Sequence, residues 1–291
     1  MLHKKRFDTI NLFYIPALLL FAIFVIYPFF KGIYLSFTNW NGYSRNFKII
    51  GLKNYINLFQ DKNVKQAFIN TLIYGVGSTV LQNVLGILFA IFLNSKFRGR
   101  SLVRTVIYLP VMIAPLIMGY VMYFFFNYNR GAINDILKLL GATPVDWLAD
   151  GPRAVIILTI VNSLQFVGIS MVIYLAGLQN IPAMYYEAAE IDGISVTQKF
   201  FHITLPLLMP AITSSVTLNL IGGLKLFDVI SALTGGGPGY DTHSLSTLIH
   251  KYYFGGERAG YASAIGLVFF VFIMIVSNVV VRALQKRQVE L

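Results

Sequence analysis

Six long apolar segments, none containing Asp, Glu, Lys or Arg, limit most strongly how this chain can fold. A membrane-spanning helix needs about 20 mostly apolar residues, because the hydrocarbon core is about 30 Å thick and each residue rises about 1.5 Å. The segments are residues 9–30, 67–93, 105–128, 154–178, 200–224 and 259–281. They predict an all-α, polytopic membrane protein with six transmembrane helices, organised as one transmembrane domain over residues 1–291.

The composition agrees with a membrane location. Hydrophobic residues make up 56% of the chain and charged residues 12%, which leaves too little polar surface for a soluble body of 291 residues. The net charge of +11 comes from short clusters between the apolar segments, a pattern that suits anionic lipid headgroups and not nucleic acid. The first apolar segment is too long for a signal peptide and is interpreted as an uncleaved span.

Charge distribution predicts the orientation. Lys and Arg are denser in the N-terminal arm, at 96–104 and after residue 281 than in the alternate connections. By the positive-inside rule, both termini are expected in the cytoplasm. The connection between spans four and five, also cytoplasmic, is acidic instead, with Glu187, Glu190 and Asp192 against Lys199. Because an acidic segment is repelled by anionic lipid, it is predicted to dock on a protein.

Residues 181–199 predict two short helices joined by a tight bend. Pro182 suits a first helical turn, and Gly193 can take the left-handed conformation that ends a helix. Ser195, followed three residues later by Gln198, is a capping box for the second helix. Farther on, Pro206 and Pro210 fall inside span five and favour a kink there.

The same segment resembles a known signature. Glu187-Ala188-Ala189, then Gly193, then Ile203-Thr204-Leu205-Pro206 is similar to the Glu-Ala-Ala loop of ABC-importer permeases. The resemblance implies a coupling helix that sits in a groove of a cytoplasmic ATPase, with Glu187 meeting a basic or polar group, Ala188 and Ala189 allowing close approach and Gly193 setting the bend. The implied ATPase-coupling residues are Glu187, Ala188, Ala189, Asp192, Gly193, Leu205 and Pro206.

Four other segments resemble the maltose-type permeases, which import sugars and glycerol phosphate diesters. The segments are residues 36–40, residues 51–55, Phe227-Asp228 and residues 233–238. The resemblance implies a permease forming half of the pathway of an ATP-driven, binding-protein-dependent importer of oligosaccharides in the bacterial cytoplasmic (inner) membrane. Implied partners are a second, different permease, an ABC ATPase dimer, an extracytoplasmic sugar-binding protein and membrane lipid. The chain lacks the two additional spans and large external domain of the maltose member.

The chain is not expected to be an enzyme. It has no Walker-type glycine-lysine loop, so ATP and Mg²⁺ are expected to be bound by the partner ATPase, and no cofactor is expected in this chain. The four histidines lie outside metal-ligand spacings, so no metal site is predicted.

Two connections on the predicted external side are informative. Residues 49–59 are apolar at helical spacing with Lys53 and Asn54 on another face, which predicts a helix on the membrane surface that packs against the spans. Residues 235–239 are rich in glycine but lack the spacing of a phosphate loop, and they are predicted to form a flexible turn.

Polar residues inside the spans are candidates for the substrate path, because polar groups are unfavourable in lipid and face protein or water. Amides can donate to and accept from sugar hydroxyls, and an aromatic ring can stack on the apolar face of a sugar. The candidates are Asn83, Asn162, Gln165, Phe166 and Asn219. The alternative for the amides is hydrogen bonding between helices.

Three other functions were weighed against sugar import. An ion-coupled secondary transporter usually carries an acidic group within its spans, and these spans have none. An intramembrane protease needs paired aspartates or a serine-histidine arrangement, and only His202 lies near a span end. An ABC importer of a non-sugar solute such as glycerol phosphate stays open, as does the choice between neutral and acidic sugars.

Overall fold

The computed structural model describes residues 14–288, and that part of the chain is helical without any strand. The helices are α1 Tyr14–Ser36, α2 Lys53–Gln60, α3 Lys62–Asn94, α4 Arg100–Met112, α5 Pro115–Phe126, α6 Ala132–Leu139, α7 Gly151–Gln179, α8 Ala183–Ile191, α9 Val196–Leu207, α10 Met209–Leu224, α11 Asp228–Leu233, α12 Leu245–His250 and α13 Ala259–Gln285. The predicted all-α class is confirmed. The basic N-terminal arm and residues 9–13 of the first predicted span lie outside the described residues.

Up to six of the described segments can cross a membrane by length and composition. Helices α1, α3, α7 and α13 are each long and apolar enough, and the pairs α4–α5 and α9–α10 meet the same test as bent units. These six units coincide with the six predicted apolar segments.

The third predicted span, residues 105–128, differs from the expectation of one continuous helix. It is broken at Ile113 and Ala114, and the helices α4 and α5 on either side are inclined by 100°. Both residues have extended backbone angles, with ψ of 130° and 133°. The break has a steric cause, because Pro115 disfavours helical geometry in the residue before it while fitting the first turn of α5.

The fifth span is bent where its prolines predicted a kink. Helices α9 and α10 meet at Leu208, which lies between Pro206 and Pro210, with an angle of 69° between them. Each proline lacks the N–H that would continue the helical hydrogen-bond ladder. The predicted kink is confirmed, and the helix before it begins at Val196, directly after the predicted cap residue Ser195.

The described residues fall into two compact units. The larger comprises Asp61–Leu248 with the described part of Phe269–Leu291, and its α3 and α7 pack closely against each other. Gly86 permits this approach, since a Cβ there would lie 2.5 Å from Ser170 Cβ and 3.1 Å from the Met171 nitrogen. Small residues at such crossings are typical of membrane helices, where close packing replaces the hydrophobic effect.

The smaller unit comprises the described part of Met1–Gln60 with Ile249–Val268. Helix α1 has exposed apolar side chains along its length, and α2 follows after a loop that is closed by a bridge between Thr38 and Ile49. Asn54 in α2 is 5% exposed, and its Nδ2 donates to the carbonyls of Ser36 and Thr38. A helix is present in the predicted region but begins at Lys53 and not at residue 49, and Asn54 faces the protein.

The glycine-rich segment, residues 235–239, forms turns, and the residues that follow it are hydrogen-bonded to α3. Gly235, Gly236 and Gly239 have positive φ angles, which explains the glycine content. The residues that follow are tied to α3: Asn70 Nδ2 donates to the carbonyls of Asp241 and His243, at 2.6 and 3.0 Å. Further bonds join Tyr74 OH to the Thr242 carbonyl at 2.9 Å and the Leu245 N–H to Thr71 Oγ1 at 2.9 Å. These long-range bonds join residues 241–245 to α3, and no local sequence pattern reveals them.

Candidate substrate cavity and coupling loop

A cavity of about 290 Å³ lies in the larger unit, beside the break in the third span. Its walls come from α3, α5, α7, α10 and the connection to α11. The lining residues are Gln82, Pro115, Asn162, Phe166, Ile169, Leu218, Asn219, Gly222, Gly223, Lys225, Leu226, Phe227 and Asp228. Three of the five residues predicted for the substrate path are therefore brought together here, namely Asn162, Phe166 and Asn219.

The amides of the cavity are held in place by neighbouring helices. Asn162 Nδ2 donates to Ser78 Oγ at 2.9 Å, and the Asn162 carbonyl accepts from Gln82 Nε2 at 3.2 Å. Gln82 Oε1 is buried and has no hydrogen-bond partner in the protein. Since a buried acceptor without a partner is costly, this oxygen is suited to accept a hydroxyl from a molecule in the cavity.

On the opposite wall, Asn219 Nδ2 donates to Ser170 Oγ at 2.6 Å, and Ser215 Oγ lies 3.4 Å away. The half-buried ring of Phe166 and the side chains of Ile169 and Leu218 supply apolar surface. The cavity therefore combines fixed amides with the aromatic rings of Phe166 and Phe227, a set that can bind hydroxyl groups and a C–H face.

Asn83 and Gln165 do not line this cavity. Asn83 Nδ2 donates to the Thr79 carbonyl at 2.6 Å, and its Oδ1 accepts from Tyr174 OH, which joins α3 to α7. Gln165 Nε2 donates to the Ile113 carbonyl at 3.0 Å, which satisfies a backbone oxygen that the helix break leaves free. Both amide groups thus donate hydrogen bonds inside the protein, as the alternative describes, and Gln165 Oε1 is buried without a hydrogen-bond partner, like Gln82 Oε1.

Sequence reasoning missed Gln82, Lys225 and Asp228 in the cavity wall. Gln82 directly precedes Asn83, but one step along a helix turns the side chain by about 100°. Lys225 follows the last apolar residue of span five and Asp228 begins α11, so both lie at the span end and are exposed. These two charged residues could have been found from the sequence, because a basic and an acidic residue three positions apart follow directly after an uncharged span.

The coupling loop, residues 181–199, has the predicted local structure. Helix α8 begins after Pro182 and ends at Ile191, and Gly193 has a φ of +65°. The Gly193 and Ile194 N–H groups donate back to the carbonyls of Glu190 and Ala189, which closes the helix end. Ser195 and Gln198 form both bonds of the capping box at the start of α9. The two helices, the bend and the capping box are confirmed.

Within α8, the two alanines of the signature face different ways. Ala188 and Glu187 are exposed, whereas Ala189 is 3% exposed and its methyl group packs inside the chain. Asp192 is exposed beside the bend, and Leu205 and Pro206 in α9 are half-buried. Close approach to a partner is thus open at Ala188, whereas Ala189 fixes α8 to its own protein.

Side-chain bonds tie the loop to α9. Lys199 Nζ lies 2.9 Å from Glu190 Oε1, and the hydroxyl groups of Tyr186 and Thr204 are 3.3 Å apart. Ile191 and Val196, which flank the Gly193 bend, are 87% and 83% exposed. Sequence reasoning missed this apolar pair, although its position beside a glycine turn in a charged segment was readable. An exposed apolar pair at a loop tip is suited to contact another protein.

The fold and these two regions define the class: a polytopic helical membrane protein with a polar cavity among its spans and an exposed short helix between two of them. This is the architecture of a transport subunit. Within residues 14–288, no group of three or more His, Asp or Glu side chains is placed to hold a metal ion.

The chain belongs to the family of binding-protein-dependent transport system inner membrane components, whose model matches residues 82–290. It is 37% identical to the probable ABC transporter permease protein YurN of Bacillus subtilis, over 88% of this chain and 89% of that protein. It is 36% identical to the multiple sugar-binding transport system permease protein MsmF of Streptococcus mutans, over 95% of each chain.

Among solved structures, the fold is similar to a bacterial ABC transporter involved in the import of the acidic polysaccharide alginate. The TM-score is 0.82 at 25% identity, over 95% of each chain. A second structure, of an alginate ABC transporter in complex with a pentasaccharide-bound periplasmic protein, has a TM-score of 0.79 at 27% identity, over 94% of this chain and 92% of that one.

Proposed function

We propose that this chain is the permease subunit of an ATP-driven, binding-protein-dependent importer of oligosaccharides, and that it forms half of the translocation pathway. Membership of the transport family supports the importer assignment. Two similar proteins, a multiple sugar-binding transport system permease and an alginate importer, support a carbohydrate cargo.

The observation that carries the sugar assignment is the cavity. Its amides at Gln82, Asn162 and Asn219 offer donors and acceptors around a ring-sized apolar surface at Phe166. Sugars present hydroxyl groups at their edge and C–H groups on their faces, so this combination matches them better than it matches an ion. A volume of about 290 Å³ is sufficient for part of an oligosaccharide at one time.

We further propose that the coupling loop docks on a cytoplasmic ABC ATPase dimer, which binds ATP and Mg²⁺ in place of this chain. Support comes from the exposed acidic groups of Glu187 and Asp192 and from the apolar tip at Ile191 and Val196. Acidic groups around an apolar contact suit a basic protein surface and are repelled by anionic lipid. In this assembly both termini of the chain lie in the cytoplasm.

The remaining partners are proposed on the same basis. A second, different permease forms the other half of the pathway, and an extracytoplasmic sugar-binding protein delivers the cargo. One chain supplies a cavity wall and one coupling helix, so two permeases are needed to enclose a path and engage two ATPase subunits.

Uptake into proteoliposomes tests this function. We expect labelled oligosaccharide to accumulate only when the second permease, the ATPase, the binding protein and ATP are all present, and to do so with ion gradients collapsed. Accumulation that needs an ion gradient and proceeds without ATP identifies a secondary carrier. Accumulation with this permease and the ATPase alone contradicts the paired assembly.

A further inference from the structure

Helix α2 has one face that is docked on its own unit. Asn54 and Leu58, one turn apart, are each 5% exposed. Asn54 Nδ2 donates to the carbonyls of Ser36 at 2.8 Å and Thr38 at 2.9 Å, and Ser36 is the last residue of α1. Because α1 is an apolar helix of spanning length, its end marks one boundary of the hydrocarbon layer. Helix α2 is therefore fixed at that boundary.

The opposite face of α2 is apolar and exposed. Leu52, Ile56 and Phe59 recur at the spacing of one helical face, and they are 62%, 58% and 67% exposed. Burying three such side chains is strongly favoured, so this face requires an apolar surrounding. Helix α1 also has exposed apolar side chains, such as Phe24, which is 72% exposed. The lipid that surrounds α1 is therefore also available to α2 at the end of α1.

Basic side chains flank the apolar face. Arg45, Lys48 and Lys53 are exposed, and residues 14–60 contain no Asp or Glu. Lys53 lies about 100° around the helix from Leu52, beside the apolar face and not within it. Lys48 is fixed by two bonds to Asn39, because the Lys48 N–H donates to Asn39 Oδ1 at 2.7 Å and the Lys48 carbonyl accepts from the Asn39 N–H at 3.1 Å.

Aromatic side chains occupy the same boundary. The ring of Trp40 lies 6.2 Å from that of Phe47 and 6.4 Å from that of Tyr253, and Tyr43 is 70% exposed. Trp and Tyr are enriched at the headgroup level of membranes, where one end of the ring is apolar and the other is hydrated.

We propose that α2 and its basic flank form an interfacial anchor that binds anionic phospholipid headgroups. Leu52, Ile56 and Phe59 insert at the boundary of the acyl chains, while Arg45, Lys48 and Lys53 contact the phosphates. The fixed position at the end of α1 and the three basic side chains beside an apolar face favour lipid over a protein partner. This anchor is independent of the cargo and of the ATPase.

The chain contains no cysteine, so a bimane fluorophore can be placed at one site. The Phe59→Cys variant, purified with its accompanying subunits, is labelled and reconstituted in mixed bilayers of phosphatidylglycerol and phosphatidylcholine, with either lipid carrying brominated chains. Phe24→Cys serves as the acyl-chain reference and free bimane–cysteine as the aqueous reference. We expect the fluorophore at Phe59→Cys to be quenched by brominated lipid. The quenching should be stronger when phosphatidylglycerol, and not phosphatidylcholine, carries the brominated chains.

Charge removal tests the headgroup preference. Each basic side chain near an anionic surface changes its attraction by about fivefold. We expect the preference for phosphatidylglycerol to fall at least about fivefold when Arg45→Gln, Lys48→Gln and Lys53→Gln are combined. The matched control combines Arg98→Gln, Arg100→Gln and Arg104→Gln, and we expect it to keep the preference at Phe59.

Three results overturn the proposal. Quenching by aqueous iodide but not by bromolipid places the face in water. Protection from both quenchers indicates that a protein, such as the binding protein, covers it. Equal quenching by the two lipids, unchanged by charge removal, shows contact with lipid but excludes headgroup binding.

Discussion

The cavity and the coupling loop are built in opposite ways. The cavity is enclosed by several helices, and its amides are positioned by bonds between residues far apart in sequence, such as Asn162 to Ser78 and Asn219 to Ser170. The loop is exposed, and the bonds that shape its bend and cap join residues close in sequence, such as Ser195 and Gln198. One region is thus specified by packing and the other by local chain geometry.

Because of this difference, substitutions in the two regions are expected to have different effects. A change in the loop alters contact with a partner and leaves the spans intact, because no loop residue from Glu187 to Gly193 lies in a predicted span. Under the proposed function, a change in the cavity would alter recognition of cargo without affecting association of the loop with the ATPase. Variants of the two regions should therefore give different combinations of association, ATP hydrolysis and uptake.

Glu187→Lys should have the largest effect. It reverses the charge of an exposed group at the proposed docking surface, and a reversal at a charged interface costs about 2 to 5 kcal/mol. We expect association with the ATPase to weaken by about 30-fold to several thousand-fold. Pull-down from detergent-solubilised membranes measures it, with Glu187→Gln as the milder control. Wild-type association by Glu187→Lys rules out a docking role for this residue.

Gly193→Pro should uncouple ATP hydrolysis from uptake. Proline cannot adopt the φ of +65° seen at Gly193, and it also lacks the N–H that donates to the Glu190 carbonyl. The substitution introduces a strain of about 1 to 3 kcal/mol, which is relieved by a change in the direction of α8. If the same free energy is lost from coupling, the oligosaccharide uptake per ATP hydrolysed falls by about 5- to 150-fold. Gly193→Asn is the control, since asparagine tolerates this conformation. Equal ratios in proteoliposomes for Gly193→Pro and wild type contradict the coupling role of the bend.

Asn219→Ala and Asn83→Ala form a matched pair for the cavity. Each removes one buried amide, but only Asn219 lines the cavity. A hydrogen bond to cargo contributes about 0.5 to 1.5 kcal/mol, so Asn219→Ala should raise the half-saturating oligosaccharide concentration by about two- to tenfold. Asn83→Ala should leave that concentration unchanged and lower thermal stability, because Tyr174 OH loses its acceptor. If both variants raise the half-saturating concentration equally, Asn219 does not differ from Asn83 in its contribution to cargo binding.

Glu190→Gln should have the smallest effect. Its ion pair with Lys199 is exposed on the Glu190 side, where the side chain is 72% exposed, and exposed pairs contribute at most about 1 kcal/mol. We expect uptake to change by less than about twofold, and less still at high salt. A larger loss than that of Gly193→Pro would mean that this ion pair, and not the glycine bend, sets the angle of α8.

The sequence predicted the loop almost residue by residue, because Pro182, Gly193 and the Ser195–Gln198 pair act on their immediate neighbours. It predicted the cavity only in part. Helix α7 is apolar on most sides, so periodicity does not distinguish Asn162, which faces the cavity, from Gln165, which reaches the broken backbone at Ile113. Helix rotation in a packed bundle is set by contacts that are distant in sequence.

The two bent spans also differ in how well the sequence predicts them. Pro206 and Pro210 stand inside a helix, where they weaken the hydrogen-bond ladder, and the kink was readable. Pro115 stands at the start of α5, where proline is compatible with a helix, so the break before it did not appear in the apolar pattern. The bonds from Asn70 and Tyr74 to residues 241–243, just after the glycine-rich segment, were also not predicted, because they join residues about 170 positions apart.

Cysteine cross-linking at adjacent alanines tests most directly whether the loop docks on an ATPase. Ala188 is exposed and Ala189 is buried in the same turn of α8, and no native cysteine interferes. With a short bifunctional reagent in native membranes, we expect Ala188→Cys to capture a nucleotide-binding subunit and Ala189→Cys not to. Capture from neither position in a complex that still transports, or labelling of Ala188→Cys by an impermeant thiol reagent from outside the cell, contradicts it.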